Sequence, residues 1–120
     1  MARSKALPTT YREFWPYYLQ EHSAVNTRRL HYLGSTLSLC IFAVAAALGR
    51  PSLLAIGLLA GYGPAWVGHY FVECNRPATF KFPFWSLISD FRMWACWLLG
   101  TINTELAKAS VSQPAVATLS

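Results

Sequence analysis

The chain has 120 residues, of which 54% are hydrophobic and 12% charged, with a formal net charge of +5. This length allows one domain, and a mean hydropathy of +0.30 favours a small membrane protein over a soluble one. The basic residues flank apolar runs instead of forming a stripe, so we assign them to membrane orientation and exclude nucleic acid as a partner. Three isolated cysteines without C-x-x-C spacing predict neither a disulfide framework nor a zinc site.

The amino-terminal region predicts one short helix at the membrane surface. Thr10 and Glu13 have the spacing of a capping box, which starts a helix. The large apolar residues that follow are Phe14, Trp15, Tyr17, Tyr18 and Leu19. Because Trp and Tyr rings prefer the headgroup layer, we predict an interfacial helix that ends near Glu21. It carries His22 to the mouth of the next segment.

Two long runs without charged residues follow, from Leu30 to Gly49 and from Pro51 to Val72, with only Arg50 between them. A helix needs about 20 apolar residues to cross a bilayer, so each run is long enough. Glycine before the arginine and proline after it suit a turn between two helices. We therefore predict a transmembrane helical hairpin. Most basic residues lie beyond its open end, so that end faces the cytoplasm by the positive-inside rule.

The histidines point to a site at the open end of this hairpin. His31 lies 19 residues before Arg50, and His69 lies 19 residues after it. In an antiparallel hairpin both return to one depth, about 28 Å from the turn. His22 maps to the same end. Ionisable groups within spanning segments are costly and usually functional, so we predict a metal or catalytic site, with histidines bonded to headgroups or backbone as the alternative.

Several charged residues close to the histidines are candidates for the same site. Glu73 lies one helical turn after His69 and can bind a metal or orient an imidazole; pairing with an arginine is its alternative. Asp90 can bind the metal, orient a ligand or pair with an arginine, and we favour the arginine. Arg76 is considered for a substrate carboxylate, or for topology alone. Histidine and carboxylate ligands without cysteine are the set that non-haem Fe(II) oxygenases use.

Small residues on the second helix predict a close contact between the two helices of the hairpin. Gly57 and Gly61 form a G-x-x-x-G motif, which lets backbones approach in a membrane. Counting from the turn places Ala43 level with Gly57, so we expect the contact there. Pro64 is expected to bend the second helix just before His69.

The rest of the chain predicts a loop, a third helix and a tail. Two prolines exclude a regular helix over residues 75–83, which we place as a cytoplasmic loop against the site. A third apolar helix extends from about Phe84 to Ile102 and either spans the membrane or lies in its interface. The predicted fold is an all-α integral membrane bundle, with one embedded domain over residues 1–108 and a disordered tail over residues 109–120.

Beyond these patterns, the chain resembles the small membrane-protein family that includes the fungal 2-hydroxy fatty acid dioxygenase. The resemblance covers roughly residues 14–100. The matching segments are HSAVNTRRLH from His22 to His31, WVGH from Trp66 with Glu73 after it, RPA from Arg76, and WSL from Trp85.

The resemblance implies iron-dependent oxidative decarboxylation of a 2-hydroxy long-chain fatty acid, with O₂ consumed and an acid one carbon shorter released. It implies His22, His31 and His69 as the Fe(II) ligands. We expect Glu73 to be a fourth ligand or to orient an imidazole, and Arg76 to assist the substrate carboxylate. The substrate's acyl tail is expected in bilayer hydrocarbon, beside Phe71, Phe84 and Trp94.

This chain departs from the fungal members of that family in two places. Glu21 stands where they have a further histidine, and one tight hairpin replaces their longer hydrophobic sequence between the two histidine blocks. We therefore expect the compact bacterial form, in the bacterial inner membrane, with the site on the cytoplasmic side. A non-catalytic membrane subunit, whose histidines and small residues pack against a partner, is the alternative.

Overall fold

The computed structural model describes residues 7–77 and 80–111, which form helices joined by short connections and contain no strand. The α-helices are α1 (Tyr11–Gln20), α2 (Val25–Leu48), α3 (Ser52–Val67), α4 (Pro83–Leu99) and α5 (Ile102–Lys108), and a π-helix (Gly68–Glu73) continues α3. The predicted all-α class is confirmed for this part of the chain.

Helix α1 begins at the predicted capping box. The backbone N–H of Glu13 donates to Oγ1 of Thr10 over 3.2 Å, and this satisfies a donor that the first helical turn leaves unpaired. Its aromatic face does not lie on an outer surface, however. Phe14 and Leu19 are fully buried and pack in a core with residues of α4 and α5. The aromatic pattern that predicted a headgroup layer therefore builds the core of the bundle.

Helices α2 and α3 form the predicted antiparallel hairpin. Gly49 ends α2 with a φ of 61°, a left-handed conformation that glycine adopts without strain. A Cβ on Gly34 would lie 2.5 Å from the carbonyl oxygen of Gly61, so the two backbones touch there. Ala43, predicted at the close contact, is exposed. That prediction was wrong because counting residues from a turn gives the depth of a residue and not the direction it faces.

The predicted second spanning run is divided into two kinds of helix. Helix α3 has 16 residues, and the π-helix takes the next six. Among the described helices, α2 alone is long and apolar enough to cross a membrane, with a mean hydropathy of 1.6. Pro64 lies inside α3, and the change to π geometry starts four residues later, at Gly68.

The predicted third helix is shorter than expected, and a further helix follows it. Gly100 ends α4 with a φ of 75°, so Ile102 starts α5 instead of completing α4. Helix α5 packs back on the core through Leu106, which is fully buried. Ala109 and Val111, within the predicted tail, are buried as well. The remainder of that tail, residues 112–120, lies outside the described residues.

Candidate metal centre

Three elements bring the three histidines together. His22 lies in the connection after α1, His31 in the second turn of α2, and His69 in the first turn of the π-helix. Their exposed fractions are 1%, 4% and 2%. One ring nitrogen from each lies within 4.8 Å of the other two. The three histidine side chains therefore converge as predicted, and they do so in the interior of the bundle.

The ring nitrogens that face each other are the Nε2 atoms. Nε2 of His22 lies 3.0 Å from Nε2 of His31 and 2.9 Å from Nε2 of His69. The three ring planes are nearly perpendicular, with interplanar angles of 79° to 87°. The edges of the rings, where the nitrogen lone pairs lie, therefore meet at one point.

The opposite nitrogens determine which proton each ring carries. Nδ1 of His22 contacts the carbonyl oxygen of Tyr18 over 2.6 Å, and Nδ1 of His31 contacts that of Thr27 over 3.0 Å. A carbonyl oxygen only accepts, so each Nδ1 is the donor and carries the proton. In a neutral imidazole the Nε2 atom then has a lone pair and no hydrogen. The same holds for His69, whose acceptor is the side chain of Asn75.

Asn75 presents its oxygen to His69, because its nitrogen is engaged elsewhere. Nδ2 donates to the backbone carbonyl of Glu21 over 3.2 Å and to the Glu21 carboxylate over 3.4 Å, both of which only accept. The oxygen of the amide therefore faces His69, and Nδ1 of His69 donates to it over 2.7 Å. The sequence analysis missed this residue. An amide just beyond a histidine-bearing helix was the available signal.

This arrangement fits a metal ion. Three converging lone pairs with no hydrogen between them repel one another unless a cation lies among them. Two nitrogen ligands about 2.1 Å from one ion are about 3.0 Å apart when their bonds make an angle of about 90°. The Nε2 separations of 3.0 and 2.9 Å match that distance. Neutral imidazole nitrogens suit iron, zinc, copper and nickel.

Burial also favours the neutral form of His22 that binds metals. It lowers the pKa of His22 well below its usual value, and the neighbouring His31 and His69 lower it further. The ring of Tyr18 stacks on the His22 ring with 4.0 Å between centroids. Burial raises the pKa of Tyr18, and the Asp90 carboxylate beside it raises it further. Tyr18 therefore stays a neutral hydroxyl donor against the cluster.

Glu73 and Arg28 hold the connection that carries His22. Oε2 of Glu73 accepts from the backbone N–H of Ala24 over 2.5 Å, and Oε1 accepts from the Ser23 hydroxyl over 3.2 Å. Nη1 of Arg28 donates to the carbonyls of His22 and Ser23, each over 2.8 Å. Glu73 is thus bonded to the His22 connection, and it is not part of the three-histidine group.

Two other residues of the predicted site, Asp90 and Arg76, lie outside the three-histidine group. The hydroxyl of Tyr18 donates to Oδ1 of Asp90 over 2.5 Å, so a tyrosine takes the place of the predicted arginine partner. The nearby Arg92 lies over the ring of Trp15, 4.0 Å from its centroid. The side chain of Arg76 is exposed just after the π-helix. Its role with a substrate carboxylate stays a prediction.

Comparison with known protein families gives a match that covers most of the chain. A family model described as "Mpo1-like: 2-hydroxy-palmitic acid dioxygenase Mpo1-like" matches residues 8–102 of the chain. This range includes all three histidines, Glu73, Asn75 and helix α4. No curated protein and no solved structure matches the chain.

Proposed function

We propose that this chain, which belongs to the Mpo1-like family, is an Fe(II)-dependent dioxygenase that shortens 2-hydroxy long-chain fatty acids by one carbon. One 2-hydroxy acid and one O₂ give the shorter acid, CO₂ and water. The C1–C2 bond breaks, the carbinol carbon becomes a carboxyl carbon, and O₂ takes up the four electrons. Atoms and electrons balance, so the reaction needs no separate reductant.

The observation that carries this proposal is the convergence of three buried Nε2 lone pairs. His22, His31 and His69 would hold the iron, and three protein ligands leave room for substrate and O₂. Bound iron would activate O₂ and stabilise negative charge on the substrate oxygens. The acceptors on the three Nδ1 atoms keep the lone pairs directed inward. Outer-shell partners of this kind orient metal-binding histidines and raise their basicity.

Residues around the three histidines would exclude water from the site and hold His22 in position. Tyr18 covers one face of the His22 ring. Glu73 and Arg28 fix the backbone from the carbonyl of His22 to the N–H of Ala24. We therefore assign Glu73 primarily to positioning His22, and direct ligation of the iron by Glu73 is its alternative.

A membrane location is part of the proposal, because the substrate is a lipid. In the most apolar window of α2, only 33% of the residues are buried inside the bundle, whereas the core helix of a soluble protein is mostly buried. Large apolar side chains are also exposed on α3 and α4, among them Ile56, Leu59, Phe84 and Leu99. Extended exposed apolar surface marks contact with a membrane or a partner. The distribution of basic residues supports the cytoplasmic side for the histidines.

Metal analysis and turnover test the proposal together. The detergent-purified protein should retain iron stoichiometrically. Anaerobic addition of 2-hydroxyhexadecanoic acid, followed by air, should yield pentadecanoic acid. Alanine at His22, His31 or His69 should abolish both iron retention and product. The matched control is Cys74→Ser, which removes an exposed potential ligand next to the site and should change neither. A protein without metal, whose histidine variants fold as stably as the parent, would instead be the non-catalytic subunit.

A further inference from the structure

A groove extends from the histidine cluster along α4. The cavity beside the three histidines has a volume of about 10 Å³, which is about the space that one water molecule needs. A second, half-open cleft of about 20 Å³ lies between α2, α3 and α4. The two share lining residues, namely His31, Tyr62, Ala65 and Asp90. The cavity and the cleft therefore adjoin, and together they are called the groove. Imidazoles line one end, and the apolar side chains of Leu58, Leu87 and Phe91 line the other, beside Ser35 and Ser38.

Ser86 lies in the wall of the cavity that contains the histidines. It is 2% exposed, and its Oγ has no hydrogen-bond partner among the residues that the structure describes. Buried hydroxyls are nearly always paired, because an unpaired one has lost its water without compensation. An unpaired hydroxyl in the wall of a cavity indicates a ligand that accepts its hydrogen bond.

Asp90 lies one helical turn after Ser86, on the same face of α4. The two side chains offer complementary hydrogen bonding, since a carboxylate accepts and a hydroxyl can donate. Tyr18 occupies one oxygen of the carboxylate. Asp90 lines both the cavity and the cleft, so it stands where the polar end of the groove meets the apolar end.

Building on the proposed function, we propose that the walls of this groove move apart to bind the substrate, with the polar head against α4 and the chain in the cleft. Ser86 donates to the substrate carboxylate, and Asp90 accepts from the 2-hydroxyl. The first carbons of the chain pass Ala65 into the cleft between α2, α3 and α4. This path differs from the one predicted from sequence. Phe71 and Phe84 are 80% and 79% exposed, and neither lines the cavity or the cleft.

The proposed roles of the polar end of the groove are tested by measuring substrate affinity in variants that retain the same amount of iron. The Fe(II) protein is titrated with 2-hydroxyhexadecanoic acid without oxygen, and binding is followed by tryptophan fluorescence. Ser86→Ala should weaken binding about tenfold, the effect of losing one hydrogen bond to a charged group, with iron retained. The control is Ser89→Ala, which removes another buried serine of α4. The hydroxyl of Ser89 is already paired with Tyr11, so the substrate affinity should stay within twofold.

The chain path is tested by filling the junction between cavity and cleft. Ala65 is 5% exposed at that junction. Ala65→Leu should weaken binding of 2-hydroxyhexadecanoic acid at least tenfold and that of 2-hydroxyhexanoic acid much less. Ala65→Val gives a smaller step if the leucine variant does not fold. Ala45→Leu adds the same bulk at a buried position outside the groove and should not discriminate between the two chain lengths.

These measurements distinguish a failure of the proposed binding groove from a failure of the proposed reaction. Three results would each refute substrate binding in the groove. The first is an equal loss of substrate affinity in Ser86→Ala and Ser89→Ala, and the second is an equal loss for both chain lengths in Ala65→Leu. The third is no binding of the long acid by the parent protein. If binding follows the expected pattern but no pentadecanoic acid forms after air is added, the groove is supported and the proposed reaction is refuted.

Discussion

The side chain of Asn75 gives the sharpest test of how the histidine site is held. In Asn75→Leu, the buried Nδ1–H of His69 loses its acceptor, and the donors to Glu21 are lost as well. An unpaired buried donor costs about 1–3 kcal/mol. The ring can avoid that cost by moving its proton to Nε2 or by rotating, and either change spoils the metal-binding lone pair. Loss of such an outer-shell partner typically lowers metal affinity by about 10–100-fold, or about 1.4–2.8 kcal/mol.

The assay is competition for Fe(II) between the detergent-solubilised protein and a chelator of known affinity, without oxygen. Asn75→Leu should lower the affinity for Fe(II) by about 10–100-fold, because His69 loses the acceptor that orients it. Asn75→Asp keeps an oxygen acceptor for His69 but loses the donors to Glu21, so its affinity for Fe(II) should be higher than that of Asn75→Leu. Thermal unfolding of the metal-free proteins serves as the folding control. If Asn75→Leu binds Fe(II) within twofold of the parent, the orienting role assigned to Asn75 is wrong.

Two further predictions follow from the packing and from the connection that carries His22. Gly34→Ala would place a Cβ 2.5 Å from a backbone oxygen of Gly61, whereas a Cβ on Gly63 meets nothing within 4 Å. Thermal unfolding in detergent should show a loss of about 1–3 kcal/mol for Gly34→Ala and none for Gly63→Ala, and equal stability of the two would refute the close backbone contact. Glu73→Ala should cost about 1–2 kcal/mol of stability, because the N–H of Ala24 loses its acceptor. It should weaken iron binding while keeping one iron per chain, and complete loss of iron would make Glu73 a ligand instead.

The sequence predicted the elements of this fold better than their faces. Charge-free runs and a Gly-Arg-Pro turn predicted the hairpin, and equal spacing from Arg50 predicted that His31 and His69 meet. These features depend on distance along a helix, which residue counting gives directly. The direction of a side chain depends on helix crossing and tertiary packing. Ala43 and the aromatic face of α1 were therefore assigned to the wrong surroundings.

Except for Asn75, the groups that orient the histidines had no pattern in the sequence by which to find them. Two of the three Nδ1 acceptors are backbone carbonyls, of Tyr18 and Thr27, and every residue type has a carbonyl. Ser86 lies in the WSL segment that carries the resemblance, but the segment alone gave it no role. A serine in an apolar helix resembles any small residue until the cavity beside it is known. Asp90 was noticed, but its partner Tyr18 lies 72 residues away in sequence.

The π-helix has a consequence for how a metal ion would leave. The carbonyl oxygen of His69 accepts from the backbone N–H groups of both Cys74 and Asn75, while the side chains of His69 and Asn75 are bonded to each other. These backbone and side-chain bonds together restrict the movement of His69. His31 is held as part of a 24-residue helix. His22 lies on a short connection between helices. We expect release of the ion to begin at His22, and movement of its connection to be the slow step. The imidazoles of His31 and His69 would stay in position to bind the ion again.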